Sequence, residues 1–510
     1  MNKIEDAVDN LNIKGIDVKS YFNLKPSIIM ELKNTIILIN ADRNVSAGQK
    51  NQQISELIIN NLYTVKQFYS IRNDDKDEIW IYDEGIYIPN GKSFIEQFCR
   101  VLLESNHNQN IYRLCCDKIR ADNYIDADEF FKKEQESPEL IPVQNGILNL
   151  KTRELIDFNP DYIFFSKINA IYDPNATCPN IDKFLKEVLK SPEDRKIFYE
   201  MVGSSLYKEY YLQTAFMLLG DGENGKGISL GIIQDFLGSN NYSSLQLNNI
   251  SGDGFRLYEL FGKLANIAGD LSNTDLKETG SFKSVTSGTD FLSADRKFKN
   301  SVSFINYATM IFACNELPRV YDNSRGFWRR WKILEYPYTF LKPNEYKLRR
   351  NEENVKVAEN PSNLKEKLSS QNEMSGLLNL SLDGLQRLFN NKQYSSTEST
   401  DQVKDLWVRK SDSFQAFCMD CIEENYEEVV EKKVLRRTFN AYCKKHKIKG
   451  CSDRNIKYVL QELYGATESR KSILGEQEHV WEGIFLKKPQ KKIKEFDAEQ
   501  EFEQLIGEMT

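Results

Sequence analysis

The stretch Gly220-Asp221-Gly222-Glu223-Asn224-Gly225-Lys226-Gly227-Ile228-Ser229 is a glycine-rich loop that ends in Gly-Lys, and it decides the fold of this chain. The apolar run 214–219 before it predicts a buried strand, and the run 228–237 after it has apolar residues at helical spacing. Strand, G-x-x-x-x-G-K and helix in that order are typical of a P-loop, whose backbone N–H groups and helix N-terminus bind phosphate. The sequence therefore predicts a nucleotide site. A glycine turn with only a structural role is the alternative.

The P-loop prediction assigns a contact to each residue of the loop. Lys226 is expected to reach the β and γ phosphates of ATP, with Mg²⁺ as the second cofactor. Gly227 stands where Ser or Thr usually contacts that metal, so Ser229 or a water would have to substitute. The other residues expected to line the nucleotide are Gly220, Gly222, Glu223, Asn224, Gly225 and Ile228.

Composition limits the class of protein. With 510 residues the chain has room for about three domains. A net charge of −7 argues against nucleic-acid binding over the whole surface, so any such binding must use local basic patches. Nine irregularly spaced cysteines, a start that is neither basic nor apolar, and no run of membrane-spanning length predict a cytoplasmic protein without a membrane partner.

The pattern along the chain predicts a multidomain α/β fold. The segment 78–89 alternates apolar and polar residues around a turn, as a hairpin does, and Ser191 begins the second of two helices between 178 and 207. The predicted divisions are an α+β region at 1–90, a mostly helical domain at 91–210, the P-loop core at 211–340, a helical lid or linker at 341–405, a DNA-binding domain at 406–490 and a tail at 491–510.

Two later apolar runs, 264–268 and 309–314, predict strands that end close to Asp270 and Asn315. A carboxylate after one strand can hold Mg²⁺ or polarise water, and an amide after another can position water against the γ phosphate. Taken alone, Asp270 could equally be a surface acid after a core strand, and Asn315 could form an Asx turn before a proline.

Two arginines, Arg329 and Arg330, follow among aromatic residues in the run 326–331. Their guanidinium groups could pair with local carboxylates on a solvated edge. They could instead stabilise phosphate charge, in particular on a neighbouring subunit.

Asp270 follows Lys226 by 44 residues, Asn315 follows Asp270 by 45, and the arginines come 14 and 15 residues later. This order and spacing resemble the core of superfamily 3 helicases, which are hexameric AAA+ motors of viruses, phages and plasmids. The chain is most similar to the phage and plasmid primase-helicase family that includes the poxvirus primase-helicase. The stretches that carry this resemblance, besides the loop, are 143–150, 172–176, Cys178-Pro179, 315–318 and 327–331, and the resemblance covers roughly residues 75 to 490.

The resemblance implies an AAA+ core in which the loop Gly220–Ser229 is the Walker A motif and Asp270 the Walker B acid. Asn315 resembles the sensor asparagine, and Arg329 or Arg330 resembles the arginine finger. The family often has Glu where Asp270 stands, so the division of roles between Asp270 and a nearby acid such as Asp275 stays open.

The segment between Asp270 and Asn315 resembles the loop and hairpin that line the central channel in this family. Arg296, Lys297 and Lys299 surround Phe298, which offers cations for strand phosphates and an aromatic ring for base stacking. The alternative is a solvated edge hairpin whose lysines block sheet pairing.

The C-terminal region predicts a winged helix, since two amphipathic helices joined by a turn precede a strand-like run at 481–486. Ten Lys or Arg residues against one acid between 432 and 457 favour contact with double-stranded DNA over protein docking. The pair Cys418 and Cys421 continues an amphipathic helix, which argues against zinc. The residues expected to contact DNA are Arg436, Arg437, Lys444, Lys445, Arg454 and Lys457.

These observations favour an ATP-driven replicative helicase that assembles as a homo-oligomer, with a hexamer expected, and translocates on single-stranded DNA. About 75 residues precede the resemblance, too few for a primase fold, so a separate primase or polymerase partner is expected to supply primer synthesis. Three alternatives remain. They are an origin-binding initiator without processive unwinding, a binding module with a degenerate ATPase, and a small-molecule kinase.

Overall fold

The computed structural model describes residues 12–13, 16–17, 24–71, 78–250, 254–271, 274–296, 299–446, 448–473 and 476–487. The predicted tail at 491–510 and Lys297 lie outside the described residues. None of the helices within these ranges combines the length and apolar character needed to span a bilayer.

A parallel sheet of five strands forms the centre of the chain. Its strands are β1 (Ala215–Leu219), β2 (Tyr242–Ser243), β3 (Ala265–Ala268), β4 (Thr309–Cys314) and β5 (Trp331–Glu335). They lie in the order β2-β3-β4-β1-β5, and every pairing is parallel. The strand that leads into the P-loop therefore lies inside the sheet, between β4 and β5, and the carboxyl ends of its neighbours share its edge of the sheet.

The sheet is buried on both faces, because successive strand residues point to opposite sides. Phe216 and Leu218 of β1 join one apolar cluster, and Ala215 and Met217 join another. The helices that cover the first face are α1 (Lys226–Leu237), Pro179–Val188, Pro192–Ser204 and Gln371–Asn391. The elements that cover the second face are the short helices Gly280–Val285 and Arg325–Trp328, the helix Thr400–Ser411, and a hairpin of strands Phe291–Arg296 and Lys299–Ile305.

The N-terminal part is a layer of helices on a small sheet, followed by a second sheet. Its helices are Pro26–Ala41, Ala47–Val65, Gly91–Leu103, Gln109–Asp122 and Ala127–Lys133. The first sheet contains Ile86–Ile88, Glu78–Asp83, Phe68–Ile71 and Tyr124–Ile125 in that order, and the second contains Leu140–Val143, Gly146–Asn149 and Leu155–Ile156. A short pair, Asn12–Ile13 and Ile16–Asp17, precedes them.

Several local predictions for this part are confirmed. The hairpin at 78–89 turns at Glu84 and Gly85, both with positive φ. Gly85 is required there, because a Cβ on it would lie 2.5 Å from the Phe158 ring. Ser191 caps the helix Pro192–Ser204 through a reciprocal pair of hydrogen bonds with Asp194.

The segment between the sheet and the C-terminal domain is more tightly held than a linker. Its elements are strands Thr339–Leu341 and Val355–Val357, helices Pro343–Arg349 and Pro361–Leu368, then Gln371–Asn391 and Thr400–Ser411. Tyr394, within the predicted lid or linker, is buried in the core, and Ser395 bonds the buried Glu200. Trp407 is fully buried and donates to the Pro318 carbonyl at 2.8 Å.

The C-terminal domain combines three helices with a three-stranded antiparallel sheet. In chain order its elements are Ser413–Cys421, Ile422–Glu431, Lys432–His446, Asp453–Tyr464, Thr467–Ile473 and Glu476–Leu486. The last strand lies between the other two. The predicted pair of helices followed by a hairpin is therefore present. Cys418 is buried in the apolar core of this domain, as the helical pattern predicted, and Cys421 is partly buried against it.

Candidate nucleotide-binding site

Three adjacent strands bring the predicted catalytic groups to one edge of the sheet. The P-loop follows β1, Asn315 follows β4 directly, and Asp270 comes two residues after β3. Lys226 is the first residue of α1. The sequence-predicted trio of Lys226, Asn315 and Asp270 is thus assembled without any contribution from distant elements.

The Lys226 side chain points back into the loop. Its ammonium donates to the carbonyl of Gly220, to the carbonyl of Asp221 at 3.2 Å and to Asn315 Oδ1 at 3.1 Å. Burial lowers the pKa of Lys226 from its ordinary value, and nearby acidic groups, Asp270 among them, oppose that shift. The contact between Lys226 and Asn315 is the direct link between the loop and the neighbouring strand.

The loop is a cradle that depends on glycine at two positions. Gly225 has a φ of +89°, and a Cβ there would lie 2.7 Å from Val188 Cγ1. A Cβ on Gly220 would lie 2.4 Å from both Asn224 Nδ2 and the Tyr336 carbonyl. Asn224 Oδ1 accepts from the Lys226 N–H at 3.2 Å, whereas its buried Nδ2 has no hydrogen-bond partner among the described residues. An unpaired buried donor in a glycine cradle suits a phosphate oxygen.

The two candidate metal contacts differ in their surroundings. Ser229 is fully buried, and its hydroxyl lies next to the buried phenol of Tyr336, whose pKa is raised by burial and lowered in part by that hydroxyl. Asp270 is exposed, and its φ of 51° is in the left-handed region that side chains other than glycine seldom adopt. The Asp270 carboxylate is therefore accessible at this edge, whereas Asp275 accepts a hydrogen bond from Tyr321 at 3.0 Å.

A cleft of about 780 Å³ adjoins the loop on its apolar side. Gly225, Gly227 and Ile228 form one wall, and Phe184 and Phe340 lie among the residues of the others. A cavity of this size with apolar walls can hold the base and sugar of a nucleotide whose phosphates lie in the loop.

The two predicted arginine-finger residues lie at the opposite edge of the sheet. The Arg330 carbonyl accepts from the N–H of Ala215, the first residue of β1, at 2.6 Å, whereas the loop follows the last residue. Four residues of strand separate these ends by ~13 Å. Gln213 Oε1 accepts from Arg329 and also from Arg330, at 3.4 Å. Arg330 is buried and also bonds the Gly326 carbonyl, whereas Arg329 is exposed.

The predicted DNA contacts are in two places. The hairpin is present, but Lys297 and the side chains of Arg296 and Lys299 lie outside the described residues. In the C-terminal domain Lys457 pairs with Glu468 at 3.2 Å, and Arg436 is half-buried and 3.4 Å from Asp453. The remaining predicted contacts are exposed, and they are Arg437, Lys444, Lys445 and Arg454.

Sequence reasoning missed one residue that connects the site to the C-terminal domain. Arg319 Nη1 donates to Asn455 Oδ1 at 2.8 Å, and its Nε lies 3.5 Å from the buried Asp412 carboxylate. Asp412 caps the helix Ser413–Cys421. The signal available in the sequence was that Arg319 directly follows Asn315-Glu316-Leu317-Pro318, close to the end of a strand that carries a predicted site residue.

Two family models match parts of the chain. One, described as "D5 N terminal like", matches residues 56–190, and the other, described as "Family of unknown function (DUF5906)", matches residues 218–330. The second range contains the whole loop Gly220–Ser229, both predicted polar strand ends and both arginines.

Two viral proteins are similar over about half of this chain. "Putative helicase L207/L206" of Acanthamoeba polyphaga mimivirus is 24% identical over 249 residues, which are 47% of this chain and 26% of the relative. "Putative helicase 184R" of Invertebrate iridescent virus 6 is 21% identical over 238 residues, 43% of this chain and 24% of the relative. The chain thus matches about a quarter of the length of each curated relative.

Among solved structures, the apo form of the NrS-1 C terminal region has a TM-score of 0.43 and 13% identity, and the likeness covers 83% of this chain and 97% of that chain. The D5 N terminal like match and the two viral relatives support a resemblance to primase-helicase-like proteins.

Proposed function

We propose that this chain is an ATP-hydrolysing DNA helicase of the superfamily 3 AAA+ class that acts in replication. The observation that carries the proposal is the contact of the Lys226 ammonium with Asn315 Oδ1, with Asp270 at the end of the next strand along the sheet. These three groups have the chemistry that phosphoryl transfer to water needs: a cation for phosphate, an amide to orient water, and a carboxylate for Mg²⁺.

In this proposal the protein itself supplies binding and positioning. The loop N–H groups, Asn224 Nδ2 and Lys226 hold the phosphates, and Asn315 orients the attacking water. Bound Mg²⁺, held by Asp270, neutralises charge that develops on the phosphates. The apolar cleft beside Gly225 holds the base and excludes water from one side of the nucleotide.

The proposal includes a homo-oligomeric ring, with six subunits expected. Arg329 lies ~13 Å from the loop of its own subunit, beyond the reach of its side chain, so it would act on the nucleotide of a neighbour. Gln213 also donates to the Ser287 carbonyl at 2.7 Å, shortly before the hairpin begins. Gln213 therefore bonds both Arg329 and the residue that shortly precedes the proposed channel hairpin. Such a connection suits a motor that couples ATP hydrolysis to movement of a DNA strand.

The C-terminal domain is proposed to be a winged helix that contacts double-stranded DNA. Its order of helix, strand, two helices and hairpin supports this, as does the exposure of Arg437 and Arg454. A second candidate function is a nucleotide-dependent DNA-binding module with little turnover. The burial of the Ser229 hydroxyl favours it, because the loop then lacks the side-chain oxygen that P-loops usually offer to Mg²⁺.

Steady-state ATP hydrolysis with and without single-stranded DNA tests the proposal. We expect turnover that single-stranded DNA stimulates, and its loss in Lys226→Ala. Lys471→Ala, a change of the same charge on the C-terminal sheet, is the matched control and should behave as the unmodified protein. Nucleotide binding without turnover would favour the second candidate, and no nucleotide binding at all would contradict both.

A further inference from the structure

A second cleft, of about 750 Å³, lies between the P-loop and the C-terminal domain. Its floor is formed by Gly220, Asp221 and Asn315, and one wall by 335–339. The residues of the opposite side come from the C-terminal part of the chain, at 409–413 and 448–452. The cleft is thus built from two domains.

The Lys226 ammonium lies directly behind the floor of this cleft, since all three residues that accept its hydrogen bonds line it. In a P-loop this lysine binds the last phosphates of the nucleotide. An anion held by Lys226 therefore faces the C-terminal domain. Asp221 and Glu316 also line the cleft. A polyphosphate bound to the Lys226 ammonium would therefore lie close to two carboxylates of like charge.

The cations on the opposite side fall into two groups. Arg409 is engaged with Asp405 and Asp420, both at hydrogen-bond distance. Lys410 and Lys449 are exposed, and neither forms an ion pair with another described residue. Lys410 lies in the last turn of the helix Thr400–Ser411, which Trp407 anchors to the core, so its backbone is held in place relative to the sheet.

We propose that the end of the helix Thr400–Ser411 and the C-terminal domain together form the second half of the nucleotide site, with Lys410 and Lys449 binding the terminal phosphate of a nucleoside triphosphate. This inference rests on the proposed nucleotide-binding function of the loop. The two lysines lie across the cleft from the Asp221 and Glu316 carboxylates. Their positive charge balances the repulsion between those carboxylates and a phosphate that extends past Lys226. A triphosphate therefore gains contacts with these two lysines that a diphosphate does not.

The competing occupant is the phosphate backbone of a DNA strand. The nucleotide is favoured because Asn315, which contacts the P-loop lysine Lys226, is part of the floor, and because Asp221 and Glu316 would repel a continuous backbone. Removal of the two lysines should lower the affinity for ATP if the nucleotide is the occupant, and the affinity for single-stranded DNA if the DNA backbone is.

The test is calorimetric titration of the full chain with ATP and with ADP, each with Mg²⁺. In the Lys410→Gln/Lys449→Gln double variant we expect ATP affinity to fall about tenfold or more, as for loss of hydrogen bonds to a charged group. ADP affinity should change less than about twofold, since Lys410 and Lys449 make no contact with the shorter nucleotide. Lys433→Gln/Lys471→Gln removes the same charge from another part of the same domain and should leave both affinities unchanged.

Each outcome decides a separate point. Equal ATP affinity in the double variant and the unmodified chain overturns this inference while leaving the loop as a nucleotide site. A loss of single-stranded DNA affinity with ATP affinity retained also overturns it and assigns the lysines to DNA. Failure of the unmodified chain to bind either nucleotide contradicts the proposed function itself, and the melting temperature of the double variant reports whether its fold is intact.

Discussion

Gly225 and Gly227 stand two positions apart in the loop, but they have opposite steric surroundings. Gly225 has a left-handed φ and would bring a Cβ against Val188, whereas Gly227 lies in α1 with nothing within 4 Å of an added Cβ. A residue other than glycine in the left-handed region costs roughly 1 kcal/mol before any clash is counted. The two glycines therefore serve different purposes, backbone geometry at 225 and open space at 227.

We expect Gly225→Ala to weaken nucleotide binding at least about tenfold, because the loop must shift to relieve strain and contact together. Gly227→Ser should bind nucleotide as tightly as the unmodified chain. Calorimetric titration with ATP and Mg²⁺ measures both, and melting temperatures show whether either variant unfolds. Equal losses in the two variants would contradict the steric distinction.

The residues of the site were predictable from the sequence where chain order alone decides their position. Lys226, Asp270 and Asn315 each follow an apolar strand, and the carboxyl ends of neighbouring parallel strands meet at one edge. Ser229 is different, because its direction depends on helical phase. It lies on the same face as Ile233 and Phe236, at i+4 and i+7, so the sequence did contain the signal for its burial.

At the scale of elements, a buried polar cluster attaches the base of the hairpin to the N-terminal part. Glu134, which ends the helix Ala127–Lys133, accepts from the Tyr307 phenol at 2.7 Å and from the Phe165 N–H at 3.1 Å. The Lys208 ammonium lies 3.5 Å from Glu134 and 4.0 Å from the centre of the Phe164 ring, and both charged side chains are almost fully buried. Burial lowers the pKa of Lys208, and the Glu134 carboxylate opposes that shift.

We predict that Glu134→Ala lowers the melting temperature strongly, because it leaves Lys208 buried without its partner. Breaking a buried pair in this way costs about 3–5 kcal/mol, whereas replacing both members can be close to neutral. The double variant Glu134→Gln/Lys208→Met should therefore recover most of the loss. Thermal unfolding measures all three proteins, and a double variant less stable than Glu134→Ala would show that the pair is not the source of the effect.

The elements themselves were predictable to different extents. The strand, loop and helix at 214–237 were recognisable because each signal is local and strong. The predicted boundary between the lid or linker and the DNA-binding domain, at 405 and 406, falls in the middle of the helix Thr400–Ser411. Only Val403 and Trp407 among its residues are buried, and they stand at helical spacing against an aromatic cluster with Trp328 and Trp331. A contact with residues so far away in sequence has no local signature in the chain.

At the scale of the whole molecule, the position of the arginines argues for assembly. Arg329 and Arg330 precede β5 at the edge of the sheet opposite the loop. The environments of the two also separate their roles. Arg330 is buried and bonds the Gly326 carbonyl, so it supports its own subunit, and the exposed Arg329 is the candidate for contact with a neighbour.

We therefore expect Arg329→Ala to keep the melting temperature of the unmodified chain but to lose hydrolysis by about 10³-fold or more, as for removal of an arginine finger. Arg330→Ala should lower the melting temperature. Arg325→Ala, at an exposed arginine that begins the same short helix, is the matched control and should retain both stability and turnover.

Mixing Arg329→Ala with Lys226→Ala tests whether the arginine acts across an interface. Each variant alone lacks one half of every site, but in an equal mixture about one interface in four joins an intact loop to an intact arginine. Hydrolysis should then return to a measurable fraction of that of the unmodified protein, with a maximum near equal amounts. Sedimentation must show that mixed oligomers form. If they form and hydrolysis stays absent at every ratio, the arginine acts within its own subunit, and the ~13 Å of strand between it and the loop would have to be closed by a change of conformation.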